Sequence, residues 1–372
     1  MTMHFNGKTG PAETTAVAVE NTFDFRSDEY RALYDGCEVS GFQSPLWLDQ
    51  LYRVLVPGVG AKPVILTVRQ GGRLKAVFPL IRQDVAGVTM VQAADLGVSD
   101  YNRIVCTAET LEALAADETV RSAIADHIAF ADILFLRKVG RDEAVLDRLF
   151  GKAERSSCEN SAYVIDLEPG AFEEWRRQNL KKGFRKNIDR RRRKMEGDHD
   201  NVQWQTFTTP EEIDAAMEFI RTERSRRFKG DVLASDAYFA FYKACALEGA
   251  ATGETVTSGI MVDGKIVSAD FGVMGKDCVH SILCAADIDN FGTYAPGIQS
   301  LHDLIWERSV RGDTHFDAGL GGSRYKSDFA AREVQLDNLS VSLSLKGQAV
   351  AAVYHRSKPL KNFLRDMVRK VH

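Results

Sequence analysis

The chain has 372 residues, of which 44% are hydrophobic, and a formal net charge of −4 at pH 7. This length predicts two domains, because one hydrophobic core rarely organises so many residues. A mean hydropathy of −0.23 and the lack of an apolar run of about eighteen residues exclude a membrane-spanning helix, and the slightly acidic total argues against a general DNA-binding protein. The six cysteines are scattered without a CxxC pair, which is typical of reduced thiols in the cytosol.

The first half of the chain alternates strand-like and helix-like patterns. Residues 1–20 lack the basic and apolar segments of a signal peptide, and we expect a disordered tail. Apolar residues at helical spacing follow Ser44 and Pro45, and two strand-like runs flank Gly71 and Gly72, which predicts a helix and then a tight hairpin. Strands at 88–94, 103–106 and 132–139, a helix over 110–129 and a strand ending near Pro169 complete this half.

The second half repeats the theme. Thr209 and Glu212 form a capping box that predicts a helix start, and a further helix spans 235–249. A hairpin turning at Asp263 and Gly264 follows, then a strand, a glycine-bearing loop, a helix that ends at Gly312 and another strand. The common arrangement of hairpins after helical segments predicts a tandem duplication.

The loop “NFGTYAPG” is the strongest candidate for binding a cofactor, with Gly292, Tyr294, Ala295, Pro296 and Gly297 as the expected contacts. A helix follows the loop directly, so bare backbone N–H groups and the helix dipole would favour a pyrophosphate there. Proline fixes φ at the helix start, and glycine allows close approach of an oxygen atom. The alternative is that the Pro-Gly pair only starts a helix.

The segment 176–194, “RRQNLKKGFRKNIDRRRRK”, holds eleven basic residues and one acid. Its apolar residues recur at helical intervals, which predicts amphipathic helices with a basic outer face. This face is either merely solvated or binds phosphates of a cofactor or of a nucleotide- or lipid-linked acceptor, with Lys182, Arg185 and Arg192 as candidates. The cluster 221–229 would share the same cleft, and the lack of a nucleic-acid-binding motif argues against double-stranded DNA.

Two acids lie in otherwise apolar strands, Asp270 in “SADFG” and Asp317 in “HFDAG”. Desolvation would raise their pKa towards values suited to a general base, unless they cap loops or pair with arginines. His280 and Cys284 would lie roughly 13 Å apart on one strand, too far for a nucleophilic pair, so we interpret Cys284 as a buried structural residue. No HExxH-like spacing is present, and we expect no metal.

Six segments carry a resemblance to a known family: “FQSPLWLDQLY”, “AVFPLI”, “LGVSDYNRIV”, “LKKGFRKNIDRRRRKM”, “TYAPG” and “FDAGLGGSRYKSDF”. Together they resemble the FemAB-like, CelD/BcsL-type acetyltransferases of the GNAT superfamily, found with bacterial cellulose and exopolysaccharide genes. The resemblance implies an α/β (α+β) fold of two tandem GNAT-like domains, each a mixed central sheet flanked by helices. The domains would span 21–168 and 169–345, with C-terminal helices over 346–372.

The resemblance also implies roles for individual residues in acyl transfer from acetyl-CoA. By this resemblance Lys326 would contact an oxyanion or phosphate. Acyl transfer itself requires a proton for the leaving thiolate, and either Tyr325 or Tyr294 is a candidate donor. Asp100 and Tyr101 in “SDYN” would face the acceptor.

We therefore expect a cytoplasmic N-acyltransferase that moves an acetyl group from acetyl-CoA to an amino sugar of an exopolysaccharide or cell-envelope precursor. The amphipathic segment 358–372 is interpreted as a docking helix or, alternatively, as a weak contact with the inner membrane surface. Two other functions stay open. One is aminoacyl-tRNA-dependent transfer, and the other is a cyclic-dinucleotide-binding effector of polysaccharide secretion.

Overall fold

Two seven-stranded mixed sheets flanked by helices make up the structure, a computed structural model that describes residues 14–141 and 144–356. This confirms the predicted fold class. The strands are β1 (Thr15–Glu20), β2 (Lys62–Gln70), β3 (Arg73–Val85), β4 (Val88–Ala93), β5 (Ile133–Gly140), β6 (Ala153–Ser157), β7 (Ala162–Asp166), β8 (Val202–Thr206), β9 (Thr255–Val262), β10 (Lys265–Met274), β11 (Cys278–Ala286), β12 (His315–Leu320), β13 (Arg332–Val334) and β14 (Leu336–Ser342).

The helices connect and cover these strands. They are α1 (Asp28–Asp35), α2 (Pro45–Gln50), α3 (Val56–Gly58), α4 (Ala108–Ala116), α5 (Glu118–Ile128), α6 (Val145–Phe150), α7 (Phe172–Asn179), α8 (Lys182–Asp198), α9 (Pro210–Arg227), α10 (Asp236–Thr252), α11 (Ile288–Phe291), α12 (Pro296–Arg311), α13 (Arg324–Asp328) and α14 (Leu345–Arg356). A π-helical turn, Leu51–Leu55, joins α2 to α3, and 3₁₀ turns occupy Gly41–Gln43, Val232–Ala234 and Gly292–Tyr294.

Local sequence signals explain several of these boundaries. The hairpins β2–β3 and β9–β10 turn at Gly71–Gly72 and Asp263–Gly264, where all four residues have positive φ, as a tight two-residue turn requires. Helix α9 begins with the predicted capping box, in which the Thr209 hydroxyl accepts from the Glu212 N–H at 3.2 Å and the Glu212 carboxylate accepts from the Thr209 N–H at 3.1 Å.

The two sheets share one plan. The first has the order β1-β2-β3-β4-β5-β14-β6 and the second β13-β7-β12-β11-β10-β9-β8. Each contains one parallel pair, β4 with β5 and β11 with β12, joined through helices. In the second sheet the parallel strands pair only over Cys278–His280 and His315–Asp317, so they part beyond these residues and leave an opening in the sheet.

The corresponding opening of the first sheet is filled by the chain segment 94–106. Asp95, which is fully buried, accepts hydrogen bonds from Arg137 at 2.9 Å and from Asn102 at 3.0 Å. The Trp47 indole N–H donates to Ser99 at 3.0 Å in the same region. The cavity that is left at the ends of β4 and β5 has a volume of only about 20 Å³. The first half therefore has no room for a ligand here.

The two halves share a hydrophobic core. Trp47 on α2 packs edge-to-face on Phe241 of α10, with ring centroids 4.9 Å apart, and both side chains are fully buried. Phe42 belongs to the same core, and Gly41 lies so close to β10 that a Cβ there would come within 2.4 Å of the Met274 carbonyl oxygen. A side chain at position 41 would therefore push the halves apart.

Several predicted boundaries are wrong. Residues 15–20 are not a tail, because they pair with β2 as an edge strand. The predicted strand over 103–106 is a single bridge between Val105 and Val77, and the helix predicted over 110–129 is two helices, since the Asp117 side chain caps the second one. The division at 168/169 also differs from the sheets. Strand β7 belongs to the second sheet, and β14, placed in the second domain by sequence, lies between β5 and β6 in the first.

The described ranges contain no helix that is both long and apolar enough to cross a membrane. Helix α14 covers the start of the predicted C-terminal helices, and the segment 358–372 lies outside the described residues.

Candidate functional site

The start of α12 is shaped by an unusual backbone conformation at Ala295. This residue has φ 53° and ψ 57°, in the left-handed region, and Pro296 occupies the first helical position. The Ala295 carbonyl accepts from the N–H groups of Ile298 at 3.0 Å and Gln299 at 3.1 Å. Gly297 therefore supplies the first-turn N–H that is not used by Ala295.

A cavity of about 540 Å³, here called the central cavity, opens beside this helix start where β11 and β12 part. Four of the five predicted cofactor contacts lie on its wall: Gly292, Ala295, Pro296 and Gly297. The end of α9 and the beginning of α13 close its other sides. Most of the lining is apolar, and the polar groups are few, which is the usual composition of a small-molecule site.

A second cavity of about 710 Å³, here called the basic cavity, lies on the other side of the α12 start and shares Ala295 and Ile298 with the first. Lys181, Arg191 and Arg324 contribute cations to its wall, and Asp328 is its one acid. The first turns of both α8 and α12 border it. Two helix beginnings and three cations make this cavity electropositive.

Asp270 is the carboxyl group of the central cavity. It is 3% exposed, and one of its oxygens, Oδ2, accepts the hydroxyl of Ser300 on α12. Burial raises the pKa of Asp270 from 3.8 to about 7, against the lowering effect of the Ser300 hydrogen bond. A carboxyl group with this pKa can both accept and release a proton near neutral pH.

Cys284 and Tyr325 share the cavity wall with Asp270. The expectation of a buried structural cysteine is wrong, because solvent reaches Cys284 through the cavity. It lies directly across the strands from Asp270. Desolvation by the surrounding protein, followed by the charge of Asp270, raises the pKa of the thiol, and burial raises the pKa of Tyr325 to about 12. Both groups are therefore protonated near neutral pH.

A second polar group lies behind the opening, at the contact between the halves. Asp317 is 3% exposed and accepts from His280 Nδ1 at 2.8 Å and from the Gly319 N–H at 2.8 Å, and Tyr101 hydrogen-bonds to it as well. Burial opposes a charge on His280, and the bond to Asp317 favours it, with a net rise in the pKa of His280. The Gly41 N–H, 3.3 Å from Nε2, favours the neutral ring.

Lys326 and Asp100 belong to this second group. Lys326 is 3% exposed, and its Nζ donates to the carbonyl oxygens of Gly319 and Leu320, both at 2.9 Å. Burial lowers the pKa of Lys326, and the nearby Asp100 and Asp317 oppose this. Asp100 accepts from the Leu320 N–H at 3.2 Å, and burial raises its pKa. Lys326 thus holds the turn after β12.

The predicted catalytic residues consequently divide into two neighbouring sets. Asp270 and Tyr325 face the central cavity, while Asp317 and Lys326 meet Asp100 and Tyr101 behind it. The two sets approach each other at Ser281, which lines the central cavity. Its carbonyl oxygen lies close to Gly319, at 3.0 Å from the position that a Cβ atom would occupy there. A β-bulge in this part of β11 places Ile282 outside the ladder with β10.

Tyr294, predicted as a cofactor contact and a thiolate donor, does not line the central cavity. Its hydroxyl lies 2.8 Å from Asp198 of α8, and Lys194 lies 5.4 Å from the centre of its ring. The hydrogen bond to Asp198 raises the pKa of Tyr294. The residue joins α8 to the loop before α12.

The basic segment is only partly available for ligands. Arg192, a predicted substrate contact, donates to Gln299 at 3.1 Å and pairs with Asp303, both on α12. Arg191 donates to the carbonyl of Thr293 at 3.0 Å, so these arginines fasten α8 to the cavity wall. Lys182 is exposed at the helix start and Arg185 is half-buried, and neither forms an ion pair with an acid of the described chain.

Sequence reasoning missed Ser300 and set His280 aside. Ser300 lies thirty positions from Asp270 in the chain, and a serine inside an amphipathic helix carries no distinctive signal. Across residues 14–141 and 144–356, no group of three or more His, Cys, Asp or Glu side chains is arranged to hold a metal ion.

Comparison with known proteins connects this geometry to a family. Residues 182–327, which run from the start of α8 through Asp270 and Asp317 to Ser327 on α13, match the family described as “Acetyltransferase (GNAT) domain”. No curated protein sequence is significantly similar to the chain.

Solved structures with the same fold have little sequence identity to this chain. FemX is 11% identical, with a TM-score of 0.65 over 91% of this chain and 100% of its own. A conserved protein of unknown function from Bacteroides thetaiotaomicron is 12% identical, with a TM-score of 0.56 over 88% and 100%. The C-terminal domain of a candidate lysylphosphatidylglycerol synthetase from Agrobacterium fabrum is 10% identical, with a TM-score of 0.53 over 83% and 92%. Residues 182–327 are thus similar to a GNAT acetyltransferase domain, in a two-sheet fold similar to that of FemX, and the match supports an enzyme of the N-acyltransferase class.

Proposed function

We propose that the protein transfers an acetyl group from acetyl-CoA to the amine of an amino sugar in an exopolysaccharide or cell-envelope precursor, in the central cavity. The observation that carries the proposal is the shared wall on which Asp270, Tyr325 and the start of α12 meet. A buried carboxyl group with a pKa of about 7 and a protonated phenol are the two proton-transfer groups that this chemistry needs.

The donor side is supported by the charge of the basic cavity. Lys181, Arg191 and Arg324 suit the phosphates of the donor, and the N–H of Gly297, which lines the central cavity at the same helix start, suits the phosphate oxygen nearest that cavity. The apolar wall of the adjoining central cavity suits the uncharged arm that carries the thioester. The shared residues Ala295 and Ile298 would lie between the two ends of the donor.

Each step of the reaction has a residue suited to it. Asp270, ionised above about pH 7, accepts the proton that the attacking amine releases. The main-chain N–H of the bulged residue Ile282, next to the lining residue Ser281, is the donor that we propose for the oxyanion. Tyr325 donates its hydroxyl proton to the departing thiolate, which leaves amide and free thiol as the products.

The acceptor side is supported by Arg227, on the cavity wall at the end of α9. Arg224 and Arg226 pair with Asp231 and Asp289, both at 2.7 Å, whereas Arg227 has no ion pair with an acid of the described chain. An unneutralised guanidinium suits a phosphate-linked acceptor. The FemX-like fold and the lysylphosphatidylglycerol synthetase neighbour favour acceptors linked to precursors or lipids. For such acceptors we propose that the protein acts in the cytoplasm, including at the inner membrane surface.

One observation favours aminoacyl-tRNA-dependent transfer as a second candidate. Lys182, Lys186, Arg190 and Arg193 are exposed along one side of α8 and form no ion pairs in the part of the chain that the structure describes. Such a row would bind a polyanion with strong salt dependence. Cyclic-dinucleotide binding stays as a further outcome to be tested, with these arginines as its contacts.

Calorimetric titration with acetyl-CoA tests the proposal. At Gly297 a Cβ would meet only the Cβ of Ala286 at 3.5 Å, an ordinary contact, so Gly297→Ala should bind and serves as the matched control. Gly297→Val should lose binding, because its γ-methyl groups occupy the space beside the free N–H. If the wild-type protein does not bind acetyl-CoA, the proposed donor is wrong, and parallel titrations with charged tRNA and cyclic dinucleotides then decide between the other two candidates.

A further inference from the structure

We propose that Ser300 is the positioning residue of the general base: its hydroxyl fixes one carboxyl oxygen of Asp270 so that the other faces the acceptor amine. The role assigned to Asp270 rests on the proposed function. The hydrogen bond itself, and its effect on the carboxyl group, do not depend on which substrate binds.

The geometry separates the two oxygens of the carboxyl group. Ser300, which is fully buried, donates to Oδ2 from the inner side of α12. Within the described chain no hydrogen bond reaches Oδ1, although Asp270 lines the central cavity. A carboxylate can accept at both oxygens, so the oxygen without a partner is the one open to a substrate.

The neighbours of Asp270 on its own strand and on β9 include two neutral, buried serines. Ser258 on β9 is paired directly with Asp270 on β10. Ser268 lies two residues before Asp270, on the same side of β10. Both hydroxyl groups are fully buried, and neither has a hydrogen-bond partner among residues 14–141 and 144–356. Asp270 therefore has one firm hydrogen bond on its inner side, and losing it would leave the side chain free to rotate towards these serines.

The ionisable groups around Asp270 come from three elements. Cys284 lies opposite it on β11, Arg224 and Arg227 reach the cavity from the end of α9, and Tyr325 and Lys326 come from α13. None of the cations forms an ion pair with Asp270 in the described ranges, which leaves Ser300 as the group that stabilises the carboxylate. Removing its hydroxyl must therefore favour the protonated acid.

The test compares Ser300→Ala, Ser300→Thr and Ser309→Ala. Ser309 is the matched control, because it is equally buried on the same helix and its hydroxyl donates to the Glu168 carbonyl at 2.9 Å, away from the cavity. Carbon-13 NMR titration of the aspartate carboxyl groups, with Asp270→Asn for assignment, reports the base directly. The Ser300→Ala variant should show about a tenfold lower acid dissociation constant for Asp270, since a hydrogen bond to a charged group is lost.

Kinetics supply the second measurement. In Ser300→Ala the acid limb of the kcat/KM profile should move to higher pH, and kcat at pH 7 should fall about tenfold with KM for acetyl-CoA unchanged. Ser300→Thr should restore both values, and Ser309→Ala should change neither. An unshifted Asp270 titration in Ser300→Ala overturns the proposal. A shifted titration in a protein that transfers no acetyl group overturns the proposed function and leaves the Ser300–Asp270 relation standing.

Discussion

Replacing Asp270 by asparagine should stabilise the fold while it abolishes transfer, and the gain should depend on pH. The unfolded chain releases the Asp270 proton near pH 3.8, and the folded protein holds it until about pH 7. Between these values the unfolded state carries fewer protons, so wild-type stability falls as pH rises, and the penalty is complete above about pH 7.

The magnitude follows from the two pKa values. A difference between 3.8 and about 7 corresponds to about 4 kcal/mol in the free energy of unfolding. Asparagine keeps the shape and can still accept the Ser300 hydroxyl at its amide oxygen, while its buried NH₂ group needs an acceptor such as Ser258. We therefore expect Asp270→Asn to gain about 2–4 kcal/mol at pH 8 and little at pH 4.

Urea denaturation of both proteins across pH 4–8 measures this directly. The wild-type curve should decline relative to the variant through the window and run parallel to it above about pH 7. A stability difference that does not change with pH would refute the reasoning, because it would mean that Asp270 titrates alike in the folded and unfolded states. Asp270→Ser is a useful control, because it removes both the carboxyl charge and the shape of the side chain, whereas Asp270→Asn removes only the charge.

Three further outcomes are expected. Iodoacetamide should label Cys284 through the central cavity, and acetyl-CoA should slow this labelling. Cys245, which is fully buried, should not react. Mass spectrometry of tryptic peptides, with and without acetyl-CoA, measures the labelling of both cysteines. Arg192→Ala should cost about 1 kcal/mol through loss of the half-buried pair with Asp303, measured by urea denaturation, and acetyl-CoA affinity that falls more than tenfold would instead return Arg192 to the binding site. Calorimetry should give one acetyl-CoA per chain, because the opening in the first sheet is filled, and a stoichiometry of two would contradict this.

Elements defined by local chemistry could be predicted from the sequence. The glycine-bearing hairpin at Gly71–Gly72, the capping box at Thr209 and the helix beginning at Pro296 are each specified by residues within a few positions of one another. The glycine-bearing loop, which the sequence predicts to bind a cofactor, lies on the wall of the central cavity. In all these positions a backbone requirement and a residue type coincide, so short-range reasoning suffices.

What depends on distant parts of the chain could not be predicted in the same way. Nothing near Arg192 indicates that Asp303 neutralises it, and the spacing of His280 and Cys284 conceals that His280 pairs with Asp317 on the next strand. The family resemblance implies that Lys326 lies at the reaction centre, whereas in the structure its ammonium group donates hydrogen bonds to two carbonyl oxygens. Charged side chains in strands and helices take partners that only the tertiary fold brings near.

The position of β14 has a consequence for how the chain can fold during synthesis. This strand, Leu336–Ser342, lies between β5 and β6, so the first sheet stays interrupted until these residues have left the ribosome. Until then the inner edges of β5 and β6 have no partner, and exposed strand edges promote aggregation. Premature termination between β13 and β14 would therefore release a protein that has strands β7 to β13 of the second sheet and whose first sheet is open between β5 and β6.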